Sequence, residues 1–466
     1  MIELLYARRL RQLLFILIVV LTFEGIVRKA TPPGYSTPLF LLKDGIVVVM
    51  AFYVLQMPPA PALTFLWNGY KILTILFVPL IIFTGWNDPL LAIFGAKQYL
   101  LFPMVGFATF LAFQNSKIEK ILAFFRWIAL LLVPTALLAF LQLRLPSDHW
   151  LNMSVSHESL EGFSAGGELR VSSTFSFVAQ YCAFLNAQAF IFVIALQGWP
   201  KQNWFWKIAS LSLIPLLVLS SFITGSRGAV AGNLAIFLLS LMLALIKLQF
   251  RTVVRIGAVM AGLYLMVHIV THYFPETTAA YSARENGHLI GFSSEVRGRV
   301  LGSYFDVEPD PDLMTYFGNG LGVMSNGSST FSPYAAEWRA RKWMETDFSS
   351  TLFEGGYYLA IIWYGFRLYV ILVTTHRFLK DVSVAYTVPA AFTQAFVLLI
   401  GVLGTLAIQP PVAVWWWTGV GASLLFWWKC VGPSETDLKL MDNPLPPKKA
   451  VRGRSLYAEV LHDPKA

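Results

Sequence analysis

The chain has 466 residues, 56% of them hydrophobic and 13% charged, with a mean hydropathy of +0.61 and a formal net charge of +9. Soluble chains carry about a quarter charged residues, so this composition excludes a soluble globular protein and points to a membrane. The basic residues fall in short loops between apolar runs, as the positive-inside rule requires, which excludes nucleic acid as the partner that the net charge alone would invite.

Apolar runs of about 18 residues or more predict spans near 11–27, 38–56, 69–86, 97–113, 121–143, 173–197, 204–223, 229–247, 253–274, 350–375, 387–408 and 411–429. The expected fold is therefore all-α and polytopic, with about twelve transmembrane helices. The basic start and apolar run at the N-terminus have the look of a signal peptide. No small-residue cleavage site follows, and Glu24, Arg28 and Lys29 come instead, so the run is read as a retained first span.

Orientation follows from the loops. Arg8, Arg9 and Arg11 precede the first span, and Lys117, Lys120, Lys201, Lys207, Lys247, Arg251, Arg255, Arg377 and Lys380 fill later connections. The span order puts all of these on one side, the cytoplasm, together with both termini. The membrane domain is expected over 1–430, and 431–466, rich in proline and charge, is expected to be a disordered cytoplasmic tail. The opposite side holds two long segments, 145–172 and a large extracytoplasmic loop over 275–349. Cys182 and Cys430 fall at different depths and are not expected to pair.

The charges near the predicted membrane boundary gather on the extracytoplasmic side. They are Glu24 and Arg28, Lys43 and Asp44, Lys97, Arg170, Arg227 in the turn Gly225-Ser226-Arg227-Gly228, and Glu345, Asp347 and Glu354 opening the tenth span. The large loop adds Arg284, Arg297, Arg299, Arg339, Arg341 and Lys342. Buried charges are costly unless paired or functional. Arginine meets phosphate oxygens bidentately and keeps its charge, so this rim is read as a site for an anionic, lipid-linked substrate. A carboxylate such as Glu345 would take the proton of an attacking hydroxyl.

Structural readings stand beside the functional one. Glu24, Arg28, Lys43 and Asp44 also make an ion-pair cluster between the first two spans, and Arg339 to Lys342 a solvated face or headgroup anchors. Asp347 also suits a helix cap, and Glu354 a partner for another rim cation or for Arg367, the clearest of the few charges placed well inside a span. Asp310-Pro311-Asp312 reads as a solvated turn, and His149, His157, His272 and His288 lack ligand spacing, so neither metal nor cofactor is expected.

Four short motifs resemble the O-antigen polymerase and O-antigen ligase superfamily of bacterial envelope enzymes. Arg170-Val171-Ser172-Ser173-Thr174-Phe175 is similar to its Arg-x-x-Gly-Thr-Phe, with Ser173 in the glycine's place, and Thr224-Gly225-Ser226-Arg227-Gly228 to its Ser-Arg-Gly turn. Arg297 or Arg299 with Gly318-Asn319-Gly320-Leu321-Gly322 resembles the arginine and Gly-x-Gly-x-Gly of its large loop. Glu354-Gly355-Gly356 resembles the close of its His-Asn-x-x-Leu stretch, and counting back puts Glu345 where a ligase carries histidine, which favours a polymerase.

The resemblance implies a GT-C-like membrane fold in the bacterial inner membrane and metal-independent glycosyl transfer on the periplasmic face. The donor would be a polyprenyl-diphosphate-linked glycan and the acceptor another glycan or a lipid-linked one. Glu345 and Arg227 would be catalytic, and Arg170, Arg297, Arg299, Lys97, Asp347 and Glu354 would bind substrate. The competing classes are a lipid-linked polysaccharide flippase and a twelve-span transporter, which need charges at the membrane midplane.

Overall fold

The structure is a computed structural model and describes residues 2–155, 170–197, 202–247, 250–273, 275, 278, 316–325, 327–341, 344, 346–383 and 386–432. The chain divides into two units, Met1–Cys430 and Val431–Ala466. The predicted tail and most of the predicted large loop thus lie outside the described residues. Among the described residues all regular structure is helical.

The first unit opens with α1 (Ile2–Ala30), α2 (Pro33–Gln56) and α3 (Thr64–Asn87), followed by the shorter α4 (Pro89–Leu100), α5 (Pro103–Phe113), α6 (Ile118–Ala129) and α7 (Leu132–Arg144). Next come α8 (Val178–Ala195), α9 (Trp204–Ile223), α10 (Arg227–Ile246) and α11 (Phe250–Tyr273). A short α12 (Pro333–Arg341) precedes α13 (Asp347–Asp381), α14 (Thr387–Leu403) and α15 (Pro410–Val431). Among the described residues eight helices are long and apolar enough to cross a membrane, nine if the bent pair α4 and α5 is one span, and α14 is apolar but shorter. An apolar phase leaves backbone groups no outside partner, which is why helices carry these runs. On α13, Ile361, Leu368 and Leu372 are all more than half exposed and lie at helical spacing, an apolar stripe fit for lipid.

Prolines set several boundaries that hydropathy alone misplaces. The run expected as one span over 97–113 is α4 and α5, bent by 42°. Pro103 opens α5, where its missing N–H costs nothing. Asp88 caps α4, its side chain accepting from the Leu91 backbone N–H at 3.0 Å, so the helix begins at Pro89. Lys97, expected at the start of a span, therefore lies in the last turn of α4, just before the bend.

At one end of the bundle, basic side chains close the carbonyl ends of neighbouring helices. Arg11 donates to Ala112 O at 2.9 Å, and Lys429 to Gln114 O and Ser116 O at 2.9 and 2.7 Å, together finishing α5. Arg126 does the same for α8 through Ala195 O and Gln197 O at 3.2 and 2.9 Å. Helix C-termini present unpaired carbonyls and a negative dipole end, which cations neutralise. Arg11 and Lys247, which donates to Leu379 O at 2.5 Å, belong to the loops assigned to the cytoplasm.

α13 is a helical hairpin rather than one rod. Asp347 and Arg367, twenty positions apart, would stand about 30 Å apart along a straight helix, yet their side chains meet at 2.7 Å. The reversal is at Gly356, with φ 62° and ψ −161°, a region open in practice to glycine alone. Folding back stacks Phe348 on Tyr364, ring centres 5.4 Å apart. Gly356→Ala is expected to cost about 1–3 kcal/mol, read as a lower midpoint of thermal unfolding in detergent; an unchanged midpoint would mean the hairpin is not held there.

Candidate functional site

The site is built around a glycine loop seated on the α13 hairpin. In Gly318-Asn319-Gly320-Leu321-Gly322 the three glycines have φ of 65°, 117° and 82°, the left-handed region closed to most side chains. Asn319 N–H donates to Phe353 O at 2.8 Å, Gly320 N–H to Glu354 O at 2.9 Å, and Leu321 N–H to Thr84 Oγ1 at 2.9 Å. A Cβ on Gly318 would stand 2.5 Å from Gly355 N, and one on Gly322 would stand 2.8 Å from Gly95 Cα in α4. The loop is therefore wedged between α3, α4 and α13, with its backbone as the contact surface.

Glu354 anchors this wedge. It is 1% exposed, and its Oε1 accepts from Met324 N–H at 2.9 Å while Oε2 accepts from the Tyr99 hydroxyl at 2.8 Å. Arg339 of α12 closes the outside, donating to Ser325 O at 2.5 Å and Met324 O at 3.2 Å. Burial pulls its guanidinium below the ordinary value and the nearby Glu354 carboxylate pushes it back up. Arg339 is thus a clamp on the loop rather than a solvated face.

Beside the wedge lies an ion cluster. Glu24 of α1 pairs with Arg28 at 3.2 Å and with Lys43 of α2 at 3.0 Å, and Asp44 pairs with Lys97 of α4 at 2.5 Å. Lys43 also donates to Phe40 O and lies over that ring, 3.5 Å from its centre, while Lys97 lies over Phe94 at 3.9 Å. α4 is the wall shared by both parts: Gly95 packs on the loop, Tyr99 reaches Glu354, and Lys97 joins the ions. Phe94 stacks edge-on with Phe331 at 4.9 Å, and Gly327 packs against Phe40 and Phe94, so 327–331 touches the ion cluster as well.

The segment from Arg170 lies along the end of α1. Ile26 N–H donates to Thr174 O at 2.7 Å, and a Cβ on Gly25 would stand 2.1 Å from Ser176 N, so only glycine admits this approach. Buried Lys29 donates to Ser172 Oγ at 2.9 Å and Leu151 O at 3.0 Å, and Arg28 reaches Ser176 Oγ at 3.4 Å. Ser173 holds φ 53°, a glycine-like conformation for a serine. It is kept there by its hydroxyl donating to Thr135 O at 2.6 Å and its N–H donating to Gln142 Oε1 at 2.8 Å.

The sequence reading gives Asp347 and Glu354 to substrate. Both hold protein partners in this structure. Asp347 Oδ2 accepts from Arg367 at 2.7 Å and Oδ1 from Ala407 N–H at 2.8 Å, while Arg367 also donates to Gly401 O and Gly404 O at 2.9 and 3.0 Å, closing the carbonyl end of α14. The cap of α13 is Thr346, which accepts from Ser349 N–H at 3.1 Å, rather than Asp347. Arg367, weighed as a partner for Glu354, pairs with Asp347.

Lys97 belongs to the ion cluster, and Ser172, two residues after Arg170, bonds Lys29 of α1. Arg227 is buried at the start of α10, where Gly228 O accepts from Asn186 of α8 at 3.5 Å. Gly232, one turn further along α10, packs on Asn186, so Arg227 lies nearer the start of α8. Glu345, Arg297 and Arg299 lie outside the described residues, as do Arg284, Lys342 and Asp310-Pro311-Asp312. Tyr99 and Gln142 are functional-site residues that the sequence reading misses. Their signal is a polar group inside an apolar run, which buried networks require. Among the described residues no group of three or more His, Cys, Asp or Glu side chains gathers as a metal site would need.

No family model matches this chain, and no curated protein or solved structure matches it either.

Proposed function

We propose that this chain is a glycosyltransferase of the bacterial inner membrane, with twelve passes, a GT-C-like fold and both termini in the cytoplasm. It transfers glycan from a polyprenyl-diphosphate-linked donor to a glycan or lipid-linked acceptor at the periplasmic face, as a polymerase. The observation that carries this reading is the charge balance of one assembly: three cations, Arg28, Lys43 and Lys97, pair with two carboxylates, Glu24 and Asp44, while buried Lys29 on the same helix end bonds Ser172, two residues after Arg170. A surplus of fixed cations at headgroup depth suits a diphosphate, stabilising charge as it develops on the leaving group. In this reading Arg170, Arg227, Lys97, Arg297 and Arg299 face the diphosphate, and Glu345 accepts the proton of the attacking hydroxyl.

Two features favour the family resemblance that suggests this chemistry. Ser173 takes the left-handed backbone that the superfamily's glycine would take, and the Gly-x-Gly-x-Gly stretch seats its backbone on the Glu-x-Gly segment at Gly318 and on α4 at Gly322. The buried charges that a transporter would need, Asp347 and Arg367, are bonded to each other and to helix ends instead.

Arg227→Ala is expected to lower glycan transfer by about 10²–10³-fold while the protein inserts and purifies as the wild type does. Product length and yield at wild-type levels in that variant would remove Arg227 from the reaction.

A further inference from the structure

A cavity of about 170 Å³ opens beside the glycine loop, apart from the ion cluster, and is lined by Phe83, Asn87, Asp88, Tyr334 and the backbone of 318–320. We propose that it is a subsite for one neutral sugar ring of the acceptor glycan; this rests on the transferase reading above and assigns its specificity pocket.

Three properties select that ligand. The lining includes one carboxylate, Asp88, and no cation, so it disfavours a phosphate and leaves the diphosphate to the cations around Lys97. Its hydrogen-bonding groups are the kind that hydroxyls need. Asp88 Oδ1 accepts from Leu91 N–H at 3.0 Å and Oδ2 from Ser332 Oγ at 2.6 Å, which leaves each oxygen a further lone pair. The Asn87 amide offers both donor and acceptor.

The walls are aromatic. Phe83 and Tyr334 remain 47% and 43% exposed, and their rings offer negative faces to the C–H bonds of a pyranose. The Tyr334 hydroxyl donates to Asn319 O at 2.9 Å, which ties the wall to the loop. The volume admits one ring, so the rest of the chain would run out toward solvent. A side chain at Gly320 would press on Thr84, its Cβ 3.3 Å from Cγ2, and narrow the floor; the glycine keeps the cavity open.

The test uses the full chain in detergent and two separate probes. One is a set of neutral tri- to pentasaccharides of hexoses and deoxyhexoses without phosphate, followed by saturation-transfer NMR. The other is polyprenyl diphosphate carrying no sugar. At least one oligosaccharide is expected to bind saturably, with affinity falling by about tenfold in Asn87→Ala and in Phe83→Ala, two exposed positions that leave the unfolding midpoint in place. Both variants should bind sugar-free polyprenyl diphosphate as the wild type does. Equal oligosaccharide binding by the variants overturns the subsite, as does polyprenyl diphosphate binding with no oligosaccharide bound; the transferase reading survives either. Failure of both probes to bind the wild type overturns both.

Discussion

Replacing Arg367 with methionine is expected to destabilise the protein by about 3–5 kcal/mol, the cost of leaving a buried charge without its partner. The guanidinium is 1% exposed and holds three elements together: Asp347 at the start of the α13 hairpin, and Gly401 O and Gly404 O at the end of α14. Methionine fills similar space but leaves Asp347 buried and those carbonyls unpaired. A whole domain is stable by only about 5–15 kcal/mol, so this loss should appear as a markedly lower unfolding midpoint and poor recovery from detergent. Combining Arg367→Met with Asp347→Asn should restore part of the loss, because the second change removes the orphaned charge. An unchanged midpoint in the single variant would show that the hairpin does not close on this pair.

Glu354→Ala carries the second largest expected effect, and it separates anchoring from catalysis. The carboxylate satisfies buried donors on Met324 and Tyr99, and orphaning a buried donor costs about 1–3 kcal/mol each. The alanine variant should release the glycine loop. Backbone amides of Asn319, Gly320 and Met324 would then exchange with solvent faster, and glycan transfer would be lost. Glu354→Gln keeps one acceptor oxygen and should retain slow exchange and most of the transfer. A glutamine variant with a tightly held loop and no transfer would put the carboxylate itself in the chemistry.

The apolar runs were legible because lipid-facing helices must be apolar over their whole length, and the helices fall close to where those runs lie. Their interruptions were less so. The break before Pro103 is written in the residue, whereas the reversal at Gly356 depends on a backbone angle that a Gly-Gly pair permits but does not dictate. That reversal decides the partners of Asp347, which is why a residue read as part of a polar mouth turns out to be buried against Arg367.

The pair of Glu24 and Lys43 is legible because the apolar runs of the first two spans place both charges toward the same side, although α2 begins three turns before Lys43. Tyr99 was passed over because its ring belongs to the apolar run and only its hydroxyl marks it. The glycine loop was recognised as a motif, but its role as a backbone wedge follows from contacts with Gly95 and Gly355, distant in sequence.

The central claim is that the assembly around Lys97 and the glycine loop serves transfer of glycan from a lipid diphosphate. The most direct measurement is reconstitution of the purified chain into proteoliposomes with a polyprenyl-diphosphate-linked glycan, followed by gel and mass analysis of the products. Longer or transferred glycan, with release of polyprenyl diphosphate and a strong reduction in Arg227→Ala, is the predicted result. Glycan that crosses the bilayer with its length unchanged, or that remains intact where it was supplied, would contradict the account.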